Sequence, residues 1–435
     1  MTRGATRARD ILAYGLPNTV AALPIIPIAV LLPSWYLDNT GLGTLAIGIG
    51  LGLARLGDFF TDAIVGVLVD RSQGSKWRYK PWIAAGTIIA CCALFALATP
   101  PADVNVIYLG VWAALLFTGW TMIMVPYTAW GAELASAHHD RSRLAASREV
   151  AGVVGMLAAL SLPLLIHSTG NPLLLVAAAA AGLALPALGI CFWSLPDVPA
   201  NALTGRQGSW ADMGGLLHQP SIRRMTLYWL VNSTANAVPA VLFPLVVTHY
   251  FGLKDEQLYL LLLTYFGSAV VLAPIWVGCA NRIGKLGAWR VALSLSVLAF
   301  LPVVALEQHQ SAWFYVVCVL TGGTLAADLA LPPSIQADAL EYDRRTNNRR
   351  RSGAAFALWS MATKLAFALA IVGAFGGLYL VGADPAAGLG ADESNALLLL
   401  YVAIPVLLKV AVIVLSRQPL AELELQREST PYPAA

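Results

Sequence analysis

The sequence predicts an all-α membrane protein in which twelve transmembrane helices form two pseudo-symmetric halves of six helices each. The first observation is composition: hydrophobic residues make up 58% of the 435 residues and charged residues only 12%. A soluble chain is about one quarter charged, and the mean hydropathy here is +0.69. The second observation is a series of long apolar runs. The third is a set of connecting segments that recur six helices apart.

Twelve apolar runs are long enough to cross a bilayer as helices, which takes about 20 residues each. The first run follows an arginine-rich start, but it is long and has no small-residue cleavage pattern, so it is predicted to span the membrane. The predicted helices cover residues 11–33, 42–69, 81–99, 104–126, 146–166, 171–193, 225–249, 257–280, 288–306, 311–336, 353–381 and 395–416.

The basic residues predict the orientation of these helices. Of the 27 Lys and Arg residues, 22 lie in seven segments on one side, and Lys254 alone lies in a connection on the other. Arg55, Arg148, Lys364 and Lys409 fall within the spans. Because basic segments stay in the cytoplasm, both termini of this multi-pass protein are predicted to face the cytoplasm. Seven separate loops do not form the concentrated patch that nucleic acid binding needs, so no nucleic acid partner is expected.

Two connecting segments resemble each other across the chain and predict its division into halves. Val69-Asp70-Arg71 follows the second run, and Ala280-Asn281-Arg282 follows the eighth. Two such halves around a midplane site are the architecture of many secondary transporters. The predicted organisation is an N-terminal half at 1–193, a cytoplasmic linker at 194–224, a C-terminal half at 225–417 and a cytoplasmic tail at 418–435.

The second helix carries the most informative charges. Arg55, Asp58 and Asp62 are three and four residues apart, so they share one helical stripe. Four residues of helix rise by about 6 Å, which lets both carboxylates converge on one point. Two anions in a low dielectric need a proton, a metal cation or a basic partner. This stripe therefore predicts a cation-binding centre inside the membrane.

Other polar residues in the predicted spans have two interpretations each. Asp328 is either a substrate contact or the structural partner of a neighbouring polar group. Asn232 and Asn236 either line a cavity or bridge helices. Trp130 either stacks on a sugar ring or packs in the core. Lys409 lies near a predicted helix end, so its ammonium is expected to snorkel to the interface.

Charged residues at the cytoplasmic ends of the helices are predicted to form a gate. Pairs of opposite charge there would lock one state of a transport cycle. The residues assigned to this gate are Asp70 with Arg71, Glu133 with Arg141, and Asp338 in the equivalent segment of the second half.

Three motifs, in order along the chain, resemble the signatures of the melibiose permease-like family of glycoside-pentoside-hexuronide cation symporters, within the major facilitator superfamily. The resemblance spans both halves and almost the whole length. The motifs are Arg55, Asp58, Asp62, Gly66 and Asp70 with 76–82; Val125-Pro126-Tyr127 through Gly131 to Arg141; and Ala337 to Asp343 with Arg349 to Gly353.

The resemblance implies a set of site residues. Sodium-coupled members of the family hold their cation with residues that match Asp58, Thr61, Asp62 and Thr121, with sodium on the two carboxylates. Lys364 matches a family lysine near this cluster and is assigned, with Arg55, to coupling. Arg148 matches a substrate-site arginine, and its neighbour Glu149 is expected to pair elsewhere because it points about 100° away on a helix. Together with the polar residues and Trp130 weighed above, the predicted substrate-binding set is Arg148, Asp328, Asn232, Asn236, Thr128 and Trp130.

The function implied is symport of a sugar or glycoside by alternating access, driven by sodium or protons and without a cofactor. Ala22 and Met124 stand where galactoside-transporting members have acidic residues, which weakens a galactoside assignment. The alternative is symport of a lysolipid or another amphipathic small molecule, which also resembles this family.

Enzymatic chemistry is not predicted. The six histidines are scattered or adjacent, no GxSxG or HExxH motif occurs, and the five cysteines lack metal-site spacing. The expected partners are a small-molecule substrate and the lipid bilayer, and the protein is expected to be a monomer.

Overall fold

The computed structural model describes residues 8–71, 79–134, 138–166, 171–196, 215–307, 310–347, 352–383, 385 and 388–417. Twelve helices in these ranges are long and apolar enough to cross a membrane, which confirms the predicted number. We number them α1 (Ala8–Ala22, continued by Pro27–Leu31 and Leu32–Asn39), α2 (Thr44–Arg71), α3 (Lys80–Ala98), α4 (Val106–Leu134), α5 (His138–Ile166), α6 (Pro172–Ser194), α7 (Pro220–Leu245, continued by Val246–Tyr250), α8 (Asp255–Ile283), α9 (Lys285–Phe300, continued by Leu301–Ala305), α10 (Ser311–Asn347), α11 (Ser352–Leu380) and α12 (Ala391–Leu415).

The helical content follows from the solvent. Hydrocarbon offers no hydrogen bonds, so a spanning segment must satisfy every backbone group internally, as a helix does. The 19 residues of α3 rise about 28 Å, close to the hydrocarbon thickness of about 30 Å. The 37 residues of α10 rise about 55 Å, so α10 extends beyond the hydrocarbon layer.

The helices form two compact units. The first unit is Met1–Gly205 with Asp384–Gly388, and the second is Arg206–Ala383 with Leu389–Ala435. In the first unit, α1 packs on α5 and α6, α4 packs on α2 and α3, and α3 packs on α6. In the second unit, α7 packs on α11 and α12, α10 packs on α8 and α9, and α9 packs on α12. These five pairings are therefore the same in both units after a shift of six helices.

The first helix of each unit changes its winding at an equivalent place. A π-helical turn covers Pro27–Leu31 in α1 and Val246–Tyr250 in α7. Prolines lie in or before each turn, at Pro24, Pro27 and Pro244. Proline lacks an N–H and clashes with the preceding turn, so the regular i to i−4 bonding is interrupted there and a wider turn follows.

Small residues set the closest helix approaches within each unit. A Cβ added to Gly119 on α4 would lie 2.8 Å from the backbone oxygen of Gly86 and 2.8 Å from the backbone nitrogen of Ala90, both on α3. A Cβ on Gly155 of α5 would overlap the carbonyl oxygen of Thr19 on α1. Backbone atoms cannot move away easily, so glycine is required at both crossings.

A basic residue on the third helix of each unit closes the C-terminal end of the sixth. Lys80 Nζ donates to the carbonyl oxygens of Phe192 (2.9 Å) and Leu195 (3.0 Å) at the end of α6. Arg290 donates to the carbonyl oxygen and, at 3.2 Å, to the hydroxyl of Ser416 at the end of α12. A cation satisfies the free carbonyls of a helix C-terminus and complements its negative dipole.

Candidate functional site

The two acidic residues of α2 converge within the first unit, as their spacing predicts. Thr121 on α4 lies between them, with its Oγ1 2.9 Å from Asp62 Oδ1 and 3.3 Å from Asp58 Oδ1. Asp58 is only 4% exposed, Asp62 is half-buried and Thr121 is buried. A single hydroxyl therefore bridges two carboxylates that lie one helical turn apart.

Thr61 completes a cluster of four oxygen-bearing side chains. Its Oγ1 donates to the backbone oxygen of Asp58 at 2.8 Å and lies 3.0 Å from Asp58 Oδ1 and 3.4 Å from Thr121 Oγ1. Helix α2 supplies three of the four side chains, and the close packing of α4 on α2 supplies the fourth. All the side-chain ligating atoms are hard oxygens, a set that suits hard cations rather than thiolate-seeking or imidazole-seeking metals.

Arg55 reduces the net charge of this cluster. Its Nη1 lies 3.6 Å from Asp58 Oδ2, one turn before it on α2. Its guanidinium also lies 3.8 Å from the ring centroid of Phe117 on α4, an arrangement in which the ring face attracts the cation. Arg55 therefore contributes one positive formal charge beside the two carboxylates. Binding of sodium or a proton at this cluster stays a prediction. Within the described residues, no group of three or more His, Cys, Asp or Glu could hold a metal ion.

Arg148 lies on α5, in the same unit but outside this cluster. Its Nη2 forms an ion pair of 2.6 Å with Glu149 Oε1, so the expectation that Glu149 pairs elsewhere is wrong. The backbone angle between neighbours is near 100°, but the long guanidinium side chain reaches across it. The backbone oxygen of Arg148 accepts from Asn18 Nδ2 of α1 at 2.8 Å. Substrate binding by Arg148 stays a prediction.

Trp130 is not available to a substrate in this structure. Its side chain is 0% exposed in the core of the first unit, and its Nε1 donates to the backbone oxygen of Pro196 at 3.1 Å. Its ring packs edge-on against Phe192. Its position on α4 turns the ring toward the end of α6 in this conformation, and substrate binding by Trp130 stays a prediction. Thr128 is exposed, and its hydroxyl bonds to the carbonyl oxygens of Met124 and Val125 in its own helix.

The second unit contains a buried ionic network that the sequence reasoning missed in part. Asp328 on α10 is 2% exposed and accepts from Trp289 Nε1 of α9 (2.7 Å) and Asn236 Nδ2 of α7 (2.8 Å). Lys409 on α12 lies 3.4 Å from Asp328 Oδ2 and donates to Asn232 Oδ1 of α7 at 3.2 Å. The network therefore joins α7, α9, α10 and α12.

Lys409 does not snorkel. Its side chain is 2% exposed, because it lies six residues before the end of α12 and faces the helices of its own unit rather than the interface. The available signal was simple: a lysine in an otherwise apolar span is expected to face a partner. Asp328 was correctly considered as the structural partner of a polar group, but the identity of that group was missed.

One member of the network has unused hydrogen-bonding capacity. Asn232 is 0% exposed, and within the described residues its Nδ2 has no hydrogen-bond partner. A buried donor without an acceptor costs about 1–3 kcal/mol. Asn236, one turn along α7, is partly exposed. Substrate binding by Asp328, Asn232 and Asn236 stays a prediction, but this conformation encloses Asp328 and Asn232 in a packed network.

The predicted cytoplasmic gate is described at one residue. Asp338 Oδ2 on α10 lies 2.6 Å from Lys285 Nζ at the start of α9, and both side chains are partly exposed. Lys364 lies half-buried on α11, and its coupling role stays a prediction. The remaining gate side chains, Asp70, Arg71, Glu133 and Arg141, lie outside the described residues.

Comparisons with known proteins place this arrangement in a family. Residues 13–422 match the family model described as MFS/sugar transport protein. The chain is 25% identical over 380 residues to the putative glycoside/cation symporter YagG of Escherichia coli (strain K12), covering 84% of this chain and 82% of the relative. It is 25% identical over 376 residues to the sodium-dependent lysophosphatidylcholine symporter 1 of Mus musculus, covering 76% and 69%.

Solved structures agree on the fold. A mutant of the nucleoside transporter NupG superposes with a TM-score of 0.73 at 12% identity, and the match covers 94% of this chain and 99% of the other. The repeated packing of six helices, the twelve apolar spans and the match over 13–422 all agree. This multi-pass membrane protein therefore belongs to the MFS/sugar transport protein family.

Proposed function

We propose that this protein is a cation-coupled secondary symporter that imports a sugar or glycoside by alternating access. The observation that carries the proposal is the cluster of Asp58, Thr61, Asp62 and Thr121, which gathers two carboxylates and two hydroxyls inside a membrane span. The relative named as a glycoside/cation symporter supports both the coupling and the substrate class. We assign this cluster to substrate uptake and not to the cleavage of a covalent bond.

Coupling follows from charge. Closing a low-dielectric site over two carboxylates is costly unless positive charge accompanies them. One sodium ion or proton removes that cost, so the loaded protein changes conformation more readily than the empty one. By linkage, substrate tightens cation binding by the same factor that the cation tightens substrate binding. Lys364 and Arg148 are the basic residues that we assign to this exchange.

The second candidate is an amphipathic substrate. The first unit contains a small cavity of about 50 Å³ between α1, α3, α4 and α6. Its lining is almost wholly apolar and includes Trp120. Trp120 precedes Thr121 of the cation cluster in the sequence. The relative named as a lysophosphatidylcholine symporter supports this candidate. Uptake of lysophosphatidylcholine in place of a glycoside, under the same gradients, would favour it.

The cell setting belongs to the same proposal. The basic segments support cytoplasmic termini, and the bacterial relative named as an inner membrane symporter supports an inner-membrane location. We propose that a monomer carries out the cycle, because each unit has its own packed helices and the described cation cluster lies within one chain.

The test is gradient-driven uptake of radiolabelled methyl β-D-glucopyranoside into proteoliposomes. We expect wild-type protein to accumulate it under an inward sodium or proton gradient. Asp58→Asn and Asp62→Asn should each lower that uptake by roughly 30- to 150-fold, because a charged ligand is worth about 2–3 kcal/mol. Asp103→Asn, in the exposed loop between α3 and α4, is the matched control and should transport normally. Cation-dependent uptake that survives in both site variants would contradict the proposal.

A further inference from the structure

We propose that Asn232 and Lys409 form a hydrogen-bond-donor site in the second unit for an uncharged oxygen of the transported molecule. The ligand class is a neutral polyol or glycoside, recognised through a hydroxyl or ether oxygen. The proposal rests on the proposed function and assigns the substrate contact to residues that lie apart from the cation cluster of α2.

The donors of this site are counted from the contacts. An ammonium has three N–H groups and no acceptor, and Lys409 makes two contacts, to Asn232 Oδ1 at 3.2 Å and Asp328 Oδ2 at 3.4 Å. Both are longer than the usual charge-assisted bond of about 2.7–2.9 Å. Among the described residues, Lys409 therefore uses two of its three N–H groups.

The orientation of the Asn232 amide follows from its neighbour. Only the amide oxygen can face an ammonium, because the amide nitrogen is itself a donor. The Nδ2 group must then point away from Lys409, and among the described residues nothing accepts from it. Among the described residues, the third N–H of Lys409 and the two N–H groups of Asn232 therefore have no acceptor. The Asn232 side chain is 0% exposed and that of Lys409 is 2% exposed.

Asp328 acts as a positioning residue in this site. Two neutral donors, Trp289 Nε1 at 2.7 Å and Asn236 Nδ2 at 2.8 Å, bind its two carboxylate oxygens. These two bonds fix the position of the carboxylate, and Asp328 Oδ2 in turn lies 3.4 Å from Lys409 Nζ. The carboxylate therefore orients the ammonium toward Asn232.

Charge decides which oxygen fits. Asp328 and Lys409 sum to zero, so the site offers no net positive charge to offset the desolvation of an incoming carboxylate or phosphate. A hydroxyl or ether oxygen costs far less to bury and can accept from both Asn232 and Lys409. A neutral sugar is therefore expected to bind better than the same sugar oxidised to its uronate.

Access runs along α7. Asn236 lies one turn from Asn232, on the same side of the helix, and is partly exposed while Asn232 is enclosed. The network therefore reaches the surface of its unit at Asn236. A small opening at this turn of α7 would expose the unused Nδ2 group without breaking the two short bonds to Asp328.

The experiment compares two probes that differ at one carbon: methyl β-D-glucopyranoside and methyl β-D-glucuronide. Uptake of each into proteoliposomes under sodium and proton gradients is measured for wild type, Asn232→Leu and Asn232→Gln. Thr234→Val is the control on the same helix, because the hydroxyl of Thr234 already bonds to the backbone oxygen of Leu230 at 2.9 Å. The cation dependence of uptake is titrated in parallel at substrate concentrations well above the KM of each variant, where it reports on the α2 cluster and not on the weakened substrate contact.

We expect wild type to prefer the neutral glycoside by at least about tenfold in kcat/KM. Asn232→Leu should raise KM for the glycoside by about 10- to 100-fold and, at substrate concentrations well above KM, leave the cation concentration for half-maximal uptake unchanged. Asn232→Gln should restore part of the loss, and Thr234→Val should behave as wild type. Cation-driven uptake that favours the glucuronide, or an unchanged KM in Asn232→Leu, would overturn this inference alone. Absence of cation-driven uptake of both probes in wild type would overturn the proposed function and this inference together.

Discussion

Thr121 contributes the one hydroxyl of the cation cluster that does not come from α2. It lies within 2.9 Å and 3.3 Å of the two carboxylates, so a bound metal ion would take it as a ligand. A proton requires only a carboxylate oxygen. Loss of this hydroxyl therefore separates sodium coupling from proton coupling.

We expect Thr121→Val to weaken sodium binding by about tenfold, since one neutral ligand is worth roughly 1–1.5 kcal/mol, and to leave proton-driven uptake nearly unchanged. The measurement is the sodium concentration for half-maximal uptake. Thr118→Val, on the same helix, is the control because its hydroxyl bonds to the Ala114 carbonyl oxygen at 2.8 Å. Equal losses under sodium and proton gradients would show that Thr121 supports the cluster only structurally.

At this scale the sequence predicted what helical spacing determines. Asp58 and Asp62 are one turn apart, so their convergence could be inferred from the chain alone. Thr121 is separated from them by about 60 positions, and only the family resemblance singled it out. Lys409 was misassigned because its partner Asp328 is 81 residues away, and no local pattern reports such a pairing.

Helix positions were predicted well because a spanning segment has a fixed length and an apolar composition. The contacts between helices were not predicted, because they depend on which side of each helix packs against its neighbour. Gly119, which no sequence pattern marked, meets the backbone of α3 at 2.8 Å. The π-helical turns were also not predicted. A proline indicates that the regular helical hydrogen bonding is interrupted, but it does not specify the geometry that replaces it.

We expect Gly119→Ala to destabilise the packing of α3 on α4. The new methyl group would meet backbone atoms of Gly86 and Ala90, and overpacking costs about 1–3 kcal/mol, more than the helix propensity gained. Gly189→Ala on α6 is the control, because a Cβ there meets nothing within 4 Å. Thermal unfolding in detergent should show a lower midpoint for Gly119→Ala only. Equal midpoints would mean that α3 and α4 can separate freely.

For the whole molecule, the repeat seen in two short loops was a reliable guide to architecture. Each unit uses the same five helix pairings after a shift of six helices, although the polar chemistry differs between units. The first unit holds two carboxylates beside Arg55, and the second holds the Asp328–Lys409 pair. The sequence could predict the shared scaffold, because apolar length and loop motifs repeat, but not the divergent buried partners.

We expect the Asp328–Lys409 pair to be a strong coupling within the second unit. Removing one partner leaves a buried charge and costs about 3–5 kcal/mol, so Asp328→Asn or Lys409→Met alone should lower thermal stability sharply. The double variant should recover part of this loss, with an interaction energy above about 1 kcal/mol.

The partly exposed Lys285–Asp338 pair is the matched comparison for this cycle, and the variants Lys285→Met and Asp338→Asn should interact by less than about 1 kcal/mol. Additive effects at Asp328 and Lys409, within about 0.5 kcal/mol, would contradict the coupling.

Lys80 and Arg290 show what this organisation permits. Each side chain joins the third helix to the end of the sixth in its own half. The donor and the acceptors of these hydrogen bonds therefore lie in the same unit. A rigid-body rotation of such a unit leaves the hydrogen bonds of Lys80 and Arg290 intact. No free energy is then needed to break and re-form them in each transport cycle, and the free energy of substrate and cation binding remains available for the conformational change.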